Sequence, residues 1–287
     1  MAYDHNEKAG NQGDLIKHIA LLAAVDTILA ANKYKKFRYC DTFAGYACSQ
    51  LIHGNGWKDG IGKLFNTTSP RNQMVIRKGF PANKHVQLFR DLYLIGRLSF
   101  VGSMYPGSSL VIHDLCLRHN VIPEFSLWDI SPYAIASLMI TYKEMGHSIN
   151  PRPALHNESS IEEADFLFID PPKAPITRSD GLCWGDIIQF LKPQHKNVMF
   201  WLPIDFRKSK GVMIENTEDQ RKDASIRKLD TLQVRWKKGA EDIKTVGCQL
   251  FYRLEDSAKA NLETAVQDIC GFLKWDIKIQ NAAAEVE

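Results

Sequence analysis

Short apolar runs alternate along the chain with stretches whose apolar residues recur at helical spacing. Residues 166–169 (Phe-Leu-Phe-Ile) form such a run, and four consecutive apolar residues are typical of a strand buried on both faces of a parallel sheet. Leu15 and Ile19 begin the apolar face of a helix that we predict from Asp14, its N-cap, to about Asn32. Repetition of this alternation predicts an α/β fold with a doubly wound, mainly parallel sheet.

The other predicted elements follow the same alternation, with one interruption. Further strands are predicted at 37–40, 125–128, 154–156, 165–169, 197–202, 232–236 and 248–254. Further helices are predicted at 85–98, 109–119, 131–145, 184–191, 217–229 and 258–273, followed by a frayed tail at 280–287. Glycine and proline break the pattern between residues 51 and 104. We therefore predict a main domain formed by residues 1–50 and 105–287, with a small helical subdomain inserted at 51–104.

Three predicted strands each end in an aspartate, at Asp41, Asp129 and Asp170. Because the carboxyl ends of parallel strands meet at one edge of a sheet, we expect these carboxylates to line a ligand crevice. Each one alone also fits an ordinary strand end, but the three together favour a nucleoside ligand whose sugar hydroxyls bind Asp129. The turn after Asp41 contains one glycine, Gly45, whereas a phosphate cradle normally has several. A nucleoside without phosphates is therefore favoured over a dinucleotide.

The sequence Asp170-Pro171-Pro172 carries the candidate chemistry. Proline fixes the backbone and lacks an N–H group, so carbonyl oxygens are held at a set angle beside the carboxylate. Such a pair of acceptors matches the two protons of an exocyclic NH2 group. On this stretch alone, a capped strand end followed by a proline stop is an equally good interpretation.

Composition indicates an ordinary globular protein. Hydrophobic residues make up 45% of the chain and the net charge is +3, which excludes a protein that coats nucleic acid with its whole surface. Basic residues nevertheless cluster at 33–38, 77–84, 207–210, 221–228 and 235–238. Each cluster alone is most often a solvated face, and five on one chain are compatible with a basic groove.

Cysteine usage and the termini bear on the compartment. The six cysteines are scattered, with neither a Cys-x-x-Cys pair nor a Cys/His cluster of zinc spacing, so we expect reduced thiols and no metal site. The polar N-terminus is unlike a secretory signal, and no apolar run approaches the roughly 20 residues of a membrane helix. We expect a cytoplasmic monomer without a membrane partner.

Four motifs, at residues 10–18, 39–45, 105–110 and 169–172, together resemble the bacterial RlmJ family of S-adenosylmethionine-dependent 23S rRNA adenine-N6 methyltransferases, formerly linked by name to the use of external DNA. Residues 10–18 (Gly-Asn-Gln-Gly-Asp-Leu-Ile-Lys-His) resemble the N-terminal motif of that family. Residues 39–45 are similar to its cofactor loop, residues 105–110 to its third motif, and residues 169–172 to its catalytic motif. The resemblance covers most of the chain and implies a Rossmann-like class I methyltransferase fold.

The resemblance also implies a role for individual residues. Asp170, with Pro171 and Pro172, takes the catalytic position, and S-adenosyl-L-methionine is the implied cofactor. The implied cofactor pocket contains Lys17, His18, Asp41, Phe43, Ser108, Asp129, Asn157, Glu158 and Asp170. Tyr3 and Lys173 are the implied contacts to the rRNA substrate, which such enzymes meet where a base can be splayed out. From the residues alone, a lone histidine such as His18 in the first turn of a helix is more often a surface residue.

The chain departs from the family pattern at three points. Phe43 stands where the family has a histidine, and the cofactor loop has one glycine where the family usually has two. Lys173 replaces a tyrosine whose ring stacks on the flipped adenine, and such stacking is worth roughly 1–3 kcal/mol per base. Lysine can hold a phosphate instead, and the ring can come from Phe43, Trp184 or Tyr3.

Three functions are therefore weighed. In the favoured one, Asp170 and the carbonyl of Pro171 accept the two N6 protons of an adenine while the cofactor delivers its methyl group in line. In the second, the chain keeps the methyltransferase fold but is an inactive nucleic-acid-binding protein that serves DNA uptake or use. Lys173 and the reduced glycine turn favour this function, and the retained Asp170 and Asp129 oppose it. The third is a DNA adenine methylase, against which stands the absence of a recognisable DNA-recognition domain.

Overall fold

A computed structural model describes residues 9–31, 34–51, 56–65, 76–94, 104–143, 145–154, 157–171, 189–191, 196–209, 212–215, 224–236 and 245–282. The strands in these ranges are β1 Lys36–Asp41, β2 Cys48–Gln50, β3 Met104–Pro106, β4 Ile122–Trp128, β5 Ser148–Asn150, β6 Phe166–Ile169, β7 Val198–Ser209, β8 Val212–Glu215, β9 Asp230–Arg235, β10 Thr245–Arg253 and β11 Asp276–Gln280. The α-helices are α1 Gln12–Ala30, α2 Gly56–Asp59, α3 Lys84–Phe89, α4 Ser108–Arg118, α5 Pro132–Tyr142, α6 Ser159–Glu162, α7 Ala224–Arg227 and α8 Asp256–Leu273. A 3-10 turn, Ile61–Leu64, follows α2, and a π-helical turn, Arg90–Leu94, continues α3.

The main sheet has the strand order β11-β9-β10-β7-β6-β1-β4-β5, and β8 pairs with β7. The five neighbours β7, β6, β1, β4 and β5 run parallel, whereas β10 is antiparallel to both β7 and β9. From β1 the chain continues to β4 and β5 on one side, and β6 and β7 follow on the other side. The order therefore reverses at β1, which opens a crevice at the carboxyl ends of β1, β4 and β6. The predicted α/β fold with a Rossmann-like, doubly wound and mainly parallel sheet is confirmed.

The sheet is buried where its strands read as apolar runs. All four residues of β6 are buried, as its Phe-Leu-Phe-Ile sequence predicts. On one face, α1 packs against α8, α3 and α4. Alanines at positions 20, 23 and 24 are buried, and their small side chains let neighbouring elements approach α1 closely. Leu15, Ile19 and Leu22 are buried too, as the helical spacing predicts.

Several predicted boundaries are corrected. The N-cap of α1 is Asn11, whose Oδ1 accepts a hydrogen bond from the N–H of Asp14 at 3.0 Å, so Asp14 lies inside the helix. The strand that follows α5 is β5, at Ser148–Asn150. A strand was predicted at 154–156, but Ala154 is not part of a strand, and residues 155 and 156 lie outside the described residues. A further edge strand, β11, ends where the frayed tail was predicted to begin. The helix predicted at 184–191 lies mostly outside the described residues, and α7 falls within the helix predicted at 217–229.

The described part of the inserted segment, residues 51–104, is packed onto the main core. Val86 and Phe89 of α3 are buried in the same hydrophobic cluster as α1. Asp26 of α1 bridges two histidines, because its Oδ2 lies 3.3 Å from His85 Nε2 and its Oδ1 lies 2.8 Å from His119 Nε2. These contacts fasten α3 to α1, and the division into a main domain and an inserted subdomain stays a prediction.

Candidate active site

The segment after β1 lies across the carboxyl ends of three strands. The N–H of Thr42 donates to Phe168 O of β6 at 3.1 Å, and the N–H of Ala44 donates to Trp128 O of β4 at 2.8 Å. Gly45 has a φ of +61°, which a glycine adopts without steric cost, and its N–H donates to Asp129 Oδ2 at 2.9 Å. The turn therefore joins the two halves of the sheet at the point where the strand order reverses.

Asp129 is held by two backbone groups. Its Oδ2 accepts from Gly45, and its Oδ1 accepts from the N–H of Ser131 at 2.7 Å. Because each carboxylate oxygen has two acceptor positions, both oxygens keep capacity for a further donor. Ser131 in turn caps α5, as predicted, through a hydrogen bond from Ala134. The fold thus fixes the orientation of Asp129 beside the turn.

Asp41 is fully buried beneath the turn. Its Oδ2 accepts from Ser108 Oγ at 2.7 Å and from Tyr39 Oη at 3.1 Å, and its Oδ1 accepts from the N–H of Phe43 at 3.1 Å. Burial raises the pKa of the Asp41 carboxyl to about 7; the Ser108 hydroxyl opposes the rise, and the charge of Asp170 adds to it. Asp41 and Ser108, two of the predicted pocket residues, are therefore direct partners, and Asp170 is close enough to affect Asp41.

Asp170, which follows β6, is paired with a lysine from α1. The Nζ of Lys17 donates to Asp170 Oδ2 and lies 2.8 Å from Asp14 Oδ1. The side chain of Lys17 is 4% exposed, whereas that of Asp170 is 14% exposed. Burial disfavours the Lys17 ammonium, but the charges of Asp14 and Asp170 outweigh it, so the pKa of Lys17 is raised. The structure thus places a permanent cation against the predicted catalytic carboxylate.

Trp201 stands next to this ion pair, and sequence reasoning missed it. Ile169 of β6 pairs with Phe200 of β7, so Asp170 and Trp201 follow at the next position of the two strands. The Nζ of Lys17 lies 5.4 Å from the centroid of the half-buried Trp201 ring. A Cβ at Gly13 would lie 2.7 Å from Trp201 Cζ2, so this position of α1 requires glycine. The available signal was a tryptophan within the strand predicted at 197–202.

His18 is buried in an aromatic cluster rather than on a surface. Its Nδ1 lies 2.8 Å from Tyr105 Oη, and its ring stacks on those of Tyr93 and Tyr105 at centroid distances of 5.2 and 5.5 Å. Tyr105 begins the Tyr-Pro-Gly-Ser-Ser motif, whose Ser108 contacts Asp41. Two separate sequence motifs therefore meet beside the carboxyl end of β1.

Some of the remaining predicted site residues lie in the described ranges, and the others lie outside them. Phe43 is half-buried in the turn, and Pro171 is buried after Asp170. Asn157 is exposed, and Glu158 forms an ion pair with Arg152, with 2.9 Å between Nη2 and Oε2. The predicted residues outside the described ranges are Tyr3, Pro172, Lys173 and the candidate ring Trp184. The structure brings together Lys17, Asp41, Phe43, Ser108, Asp129 and Asp170.

An open groove lies at the opposite, amino-terminal edge of the sheet. It is lined by Tyr34, Lys35, Lys36, Arg38, Glu124 and Asp165. Its charges are paired with each other, since Lys36 bonds to Glu124 and Arg38 bonds to Asp165 at 3.2 Å. Ligands of doubly wound sheets bind at the other edge, so we assign the candidate site to the carboxyl-terminal crevice.

Comparisons with known proteins support the fold. Ribosomal RNA large subunit methyltransferase J of Haemophilus influenzae is 27% identical over 123 residues, which cover 40% of this chain and 38% of that protein. A crystal structure of protein LPL1258 from Legionella pneumophila has a TM-score of 0.67 and 16% identity, covering 96% of this chain and 98% of that one. No family model matches. The chain thus resembles a ribosomal RNA methyltransferase over part of its length and shares its fold with LPL1258 almost throughout.

A search for membrane spans gave a negative result over the described residues. None of the helices in those ranges is both long enough and apolar enough to cross a bilayer.

Proposed function

We propose that the protein is an S-adenosyl-L-methionine-dependent methyltransferase that methylates N6 of an adenine in 23S rRNA. The observation that carries the proposal is the Lys17–Asp170 ion pair at the carboxyl end of β6, beside the turn that joins β1 to Asp129. The motif resemblance and the likeness to ribosomal RNA large subunit methyltransferase J support rRNA as the substrate. The second alternative, an inactive nucleic-acid-binding fold, has no reason to retain a buried cation on this carboxylate.

The chemistry of the donor set fits the cofactor. S-adenosyl-L-methionine carries sugar hydroxyls and a positively charged sulfonium, and it supplies an activated methyl group when bound. Asp129, with acceptor capacity left on both oxygens, binds the ribose hydroxyls. Asp170 supplies negative charge near the sulfonium, and the Gly45 turn lets the backbone approach the ligand. His18 and Ser108 lie next to these groups, whereas Asn157 and Glu158 stay predicted members of the pocket.

Asp170 prepares the amino group for attack. The N6 lone pair of adenine is delocalised into the ring, so the amine is a poor nucleophile. The Asp170 carboxylate and the carbonyl oxygen of Pro171 accept hydrogen bonds from its two N–H groups, which favours a geometry with a localised lone pair. Lys17 holds one carboxylate oxygen in place and thereby orients the other. Positioning of this kind is a large part of what an enzyme contributes to a transfer between two bound groups.

The test uses Asp170→Asn and Asp170→Ala in the full-length protein. Methyl transfer to unmethylated 23S rRNA should fall by about 10²–10⁴-fold, the usual range for a lost acid–base group. Calorimetry should find cofactor binding largely retained, because Asp129 is unchanged. Asp165→Asn is the matched control, since Asp165 precedes the same strand at its opposite end and should leave transfer intact. Turnover of an Asp170 variant within tenfold of wild type would sink the assignment.

The same experiment separates the alternatives. A wild-type protein that binds no S-adenosyl-L-methionine fits the inactive fold. Transfer to duplex DNA in preference to rRNA fits a DNA adenine methylase. Mapping of N6-methyladenine in rRNA from a deletion strain, with and without the restored gene, identifies the target nucleotide if rRNA is the substrate.

A further inference from the structure

Strand β7 continues far beyond the strand beside it. Its first residues, 198–200, pair with 167–169 of β6, and the nine residues 201–209 extend past that pairing. At about 3.3 Å per residue, this extension spans roughly 30 Å. The first part of the extension, up to Asp205, is hydrogen-bonded to β10. Residues 206–209 then pair with residues 212–215 of β8. We call this antiparallel pair, residues 206–209 and 212–215, the β7–β8 ribbon.

The ribbon leaves the sheet at the edge that carries the candidate active site. Because β7 is parallel to β6, its extension points beyond the carboxyl ends of β6, β1 and β4. The extension begins at Trp201, the strand position beside Asp170, and neighbouring strands lie about 4.8 Å apart. A nucleic acid whose reactive nucleobase reaches Asp170 therefore passes close to Trp201, where this extension begins.

The described residues of two of the five basic sequence clusters lie at this edge. Arg207 and Lys208 lie in the ribbon, paired in register with Ile214 and Met213. Arg235, the last residue of β9, pairs with Gly247, which in turn pairs with Ile204 of the β7 extension. Arg235 therefore lies at the same edge, between the level of Asp170 and the ribbon. These basic residues come from separate parts of the sequence, but the fold places them on the same edge of the sheet as the crevice.

A third basic cluster lies at the opposite edge and differs in its partners. Lys36 and Arg38 belong to the amino end of β1, where Lys36 bonds to Glu124 and Arg38 bonds to Glu163 and Asp165. Acidic neighbours neutralise this cluster within the protein. The side chains of Lys36 and Arg38 therefore form a solvated, ion-paired face on the side away from Asp170.

We propose that the β7–β8 ribbon binds the phosphate backbone of the RNA next to the target adenine, an inference that rests on the proposed function. Phosphate contacts from Arg and Lys position a nucleic acid without reading its sequence. The ribbon strands have four residues each and span roughly 13 Å at about 3.3 Å per residue, which is enough to contact a short stretch of backbone. The crevice then selects the base, and the ribbon holds the strand on which that base lies.

The experiment removes the two ribbon charges. Arg207→Gln with Lys208→Gln is compared with Lys35→Gln with Lys36→Gln, which removes the same charge at the opposite edge. Binding of a labelled single-stranded fragment of unmethylated rRNA is measured between about 50 and 300 mM salt. The ribbon variant should bind roughly tenfold more weakly near 0.1 M salt, and its salt slope should fall by about 0.7 per lost phosphate contact. The control should keep the wild-type slope.

Further readouts confine the effect to RNA binding. At saturating RNA, kcat of the ribbon variant should match wild type while KM for RNA rises. Calorimetry with S-adenosyl-L-methionine should give an unchanged affinity. If the double variant fails to fold, as judged by circular dichroism and urea unfolding, Lys208→Gln alone is used, with about half the change in slope expected.

The outcomes separate this inference from the proposed function. Methyl transfer by wild type together with an unchanged salt slope in the ribbon variant overturns the ribbon inference alone. A reduced slope without any methyl transfer by wild type supports the ribbon and overturns the proposed function. Equal losses in the ribbon variant and the control show a diffuse charge effect and overturn the ribbon. A ribbon variant that binds duplex DNA more weakly but binds RNA with unchanged affinity also overturns the ribbon inference.

Discussion

Asp41 carries a carboxyl group that the fold keeps away from water, and its titration should be visible in stability. Burial raises its pKa from 3.8 to about 7. Between these two pH values, the Asp41 carboxyl is ionised in the unfolded chain and protonated in the folded protein. The favourable contribution is therefore complete below about pH 4 and lost as pH rises toward 7, by up to about 1.4 kcal/mol per pH unit.

Asp41→Asn should remove this dependence, because the amide has a similar shape but does not titrate. Urea unfolding at several values between about pH 4.5 and 8 gives the free energy of unfolding. The difference between wild type and variant should move in favour of the variant as pH rises to about 7 and level off above it. Asp59→Asn, at an exposed side chain of α2, is the control. Parallel curves for wild type and Asp41→Asn would contradict the assignment.

Trp201 is the residue from which we expect base stacking, since its ring stands at the strand position beside Asp170. Trp201→Ala should lower kcat/KM for rRNA about 10- to 100-fold, which corresponds to the roughly 1–3 kcal/mol of one base–aromatic stack. Trp201→Phe keeps a ring and should recover most of the activity. Tyr133 of α5 is 72% exposed, and Tyr133→Ala should have no effect. Equal activity of the Ala and Phe variants would assign Trp201 a packing role alone.

At the scale of elements, strong periodicity was predictive and weak periodicity was not. The predicted strand at 165–169 and helix at 258–273 lie within a residue or two of β6 and α8, because apolar residues define both. By contrast, Ser148–Asn150 has a single apolar residue, and its strand forms because β4 offers free hydrogen-bonding groups beside it. The extension of β7 past residue 202 was also missed, since Pro203 interrupts the apolar run and most residues from Asp205 onward are polar.

The candidate site shows the same division. The three aspartates were predictable because each directly follows a strand, and strand direction fixes the edge at which they meet. The Lys17–Asp170 pair was not, because 153 residues separate its members and the packing of α1 on the sheet brings them together. The burial of His18 between Tyr93 and Tyr105 likewise depends on an inserted segment that the periodicity of α1 does not describe.

At the scale of the whole molecule, the proposed cofactor site joins the two halves of the sheet. Asp129 follows β4 on one side of β1, and Asp170 follows β6 on the other, so one bound ligand bridges both. A ligand that binds the native state alone at 100 times its Kd adds about 2.7 kcal/mol to the free energy of unfolding. For a chain of this size we expect S-adenosyl-L-methionine to raise Tm by about 5 °C.

Asp129→Asn should reduce this rise in Tm by at least about half at the same ligand concentration, because affinity falls when a carboxylate no longer receives the ribose hydroxyls. Glu124→Gln is the matched control, since Glu124 lies near the other end of the same strand, with a side chain that is 41% exposed. The control should show the full rise, measured by differential scanning calorimetry with and without ligand. A wild-type Tm that does not change with ligand would contradict a cofactor site between the two halves, because a bridging ligand necessarily stabilises the fold that creates its site.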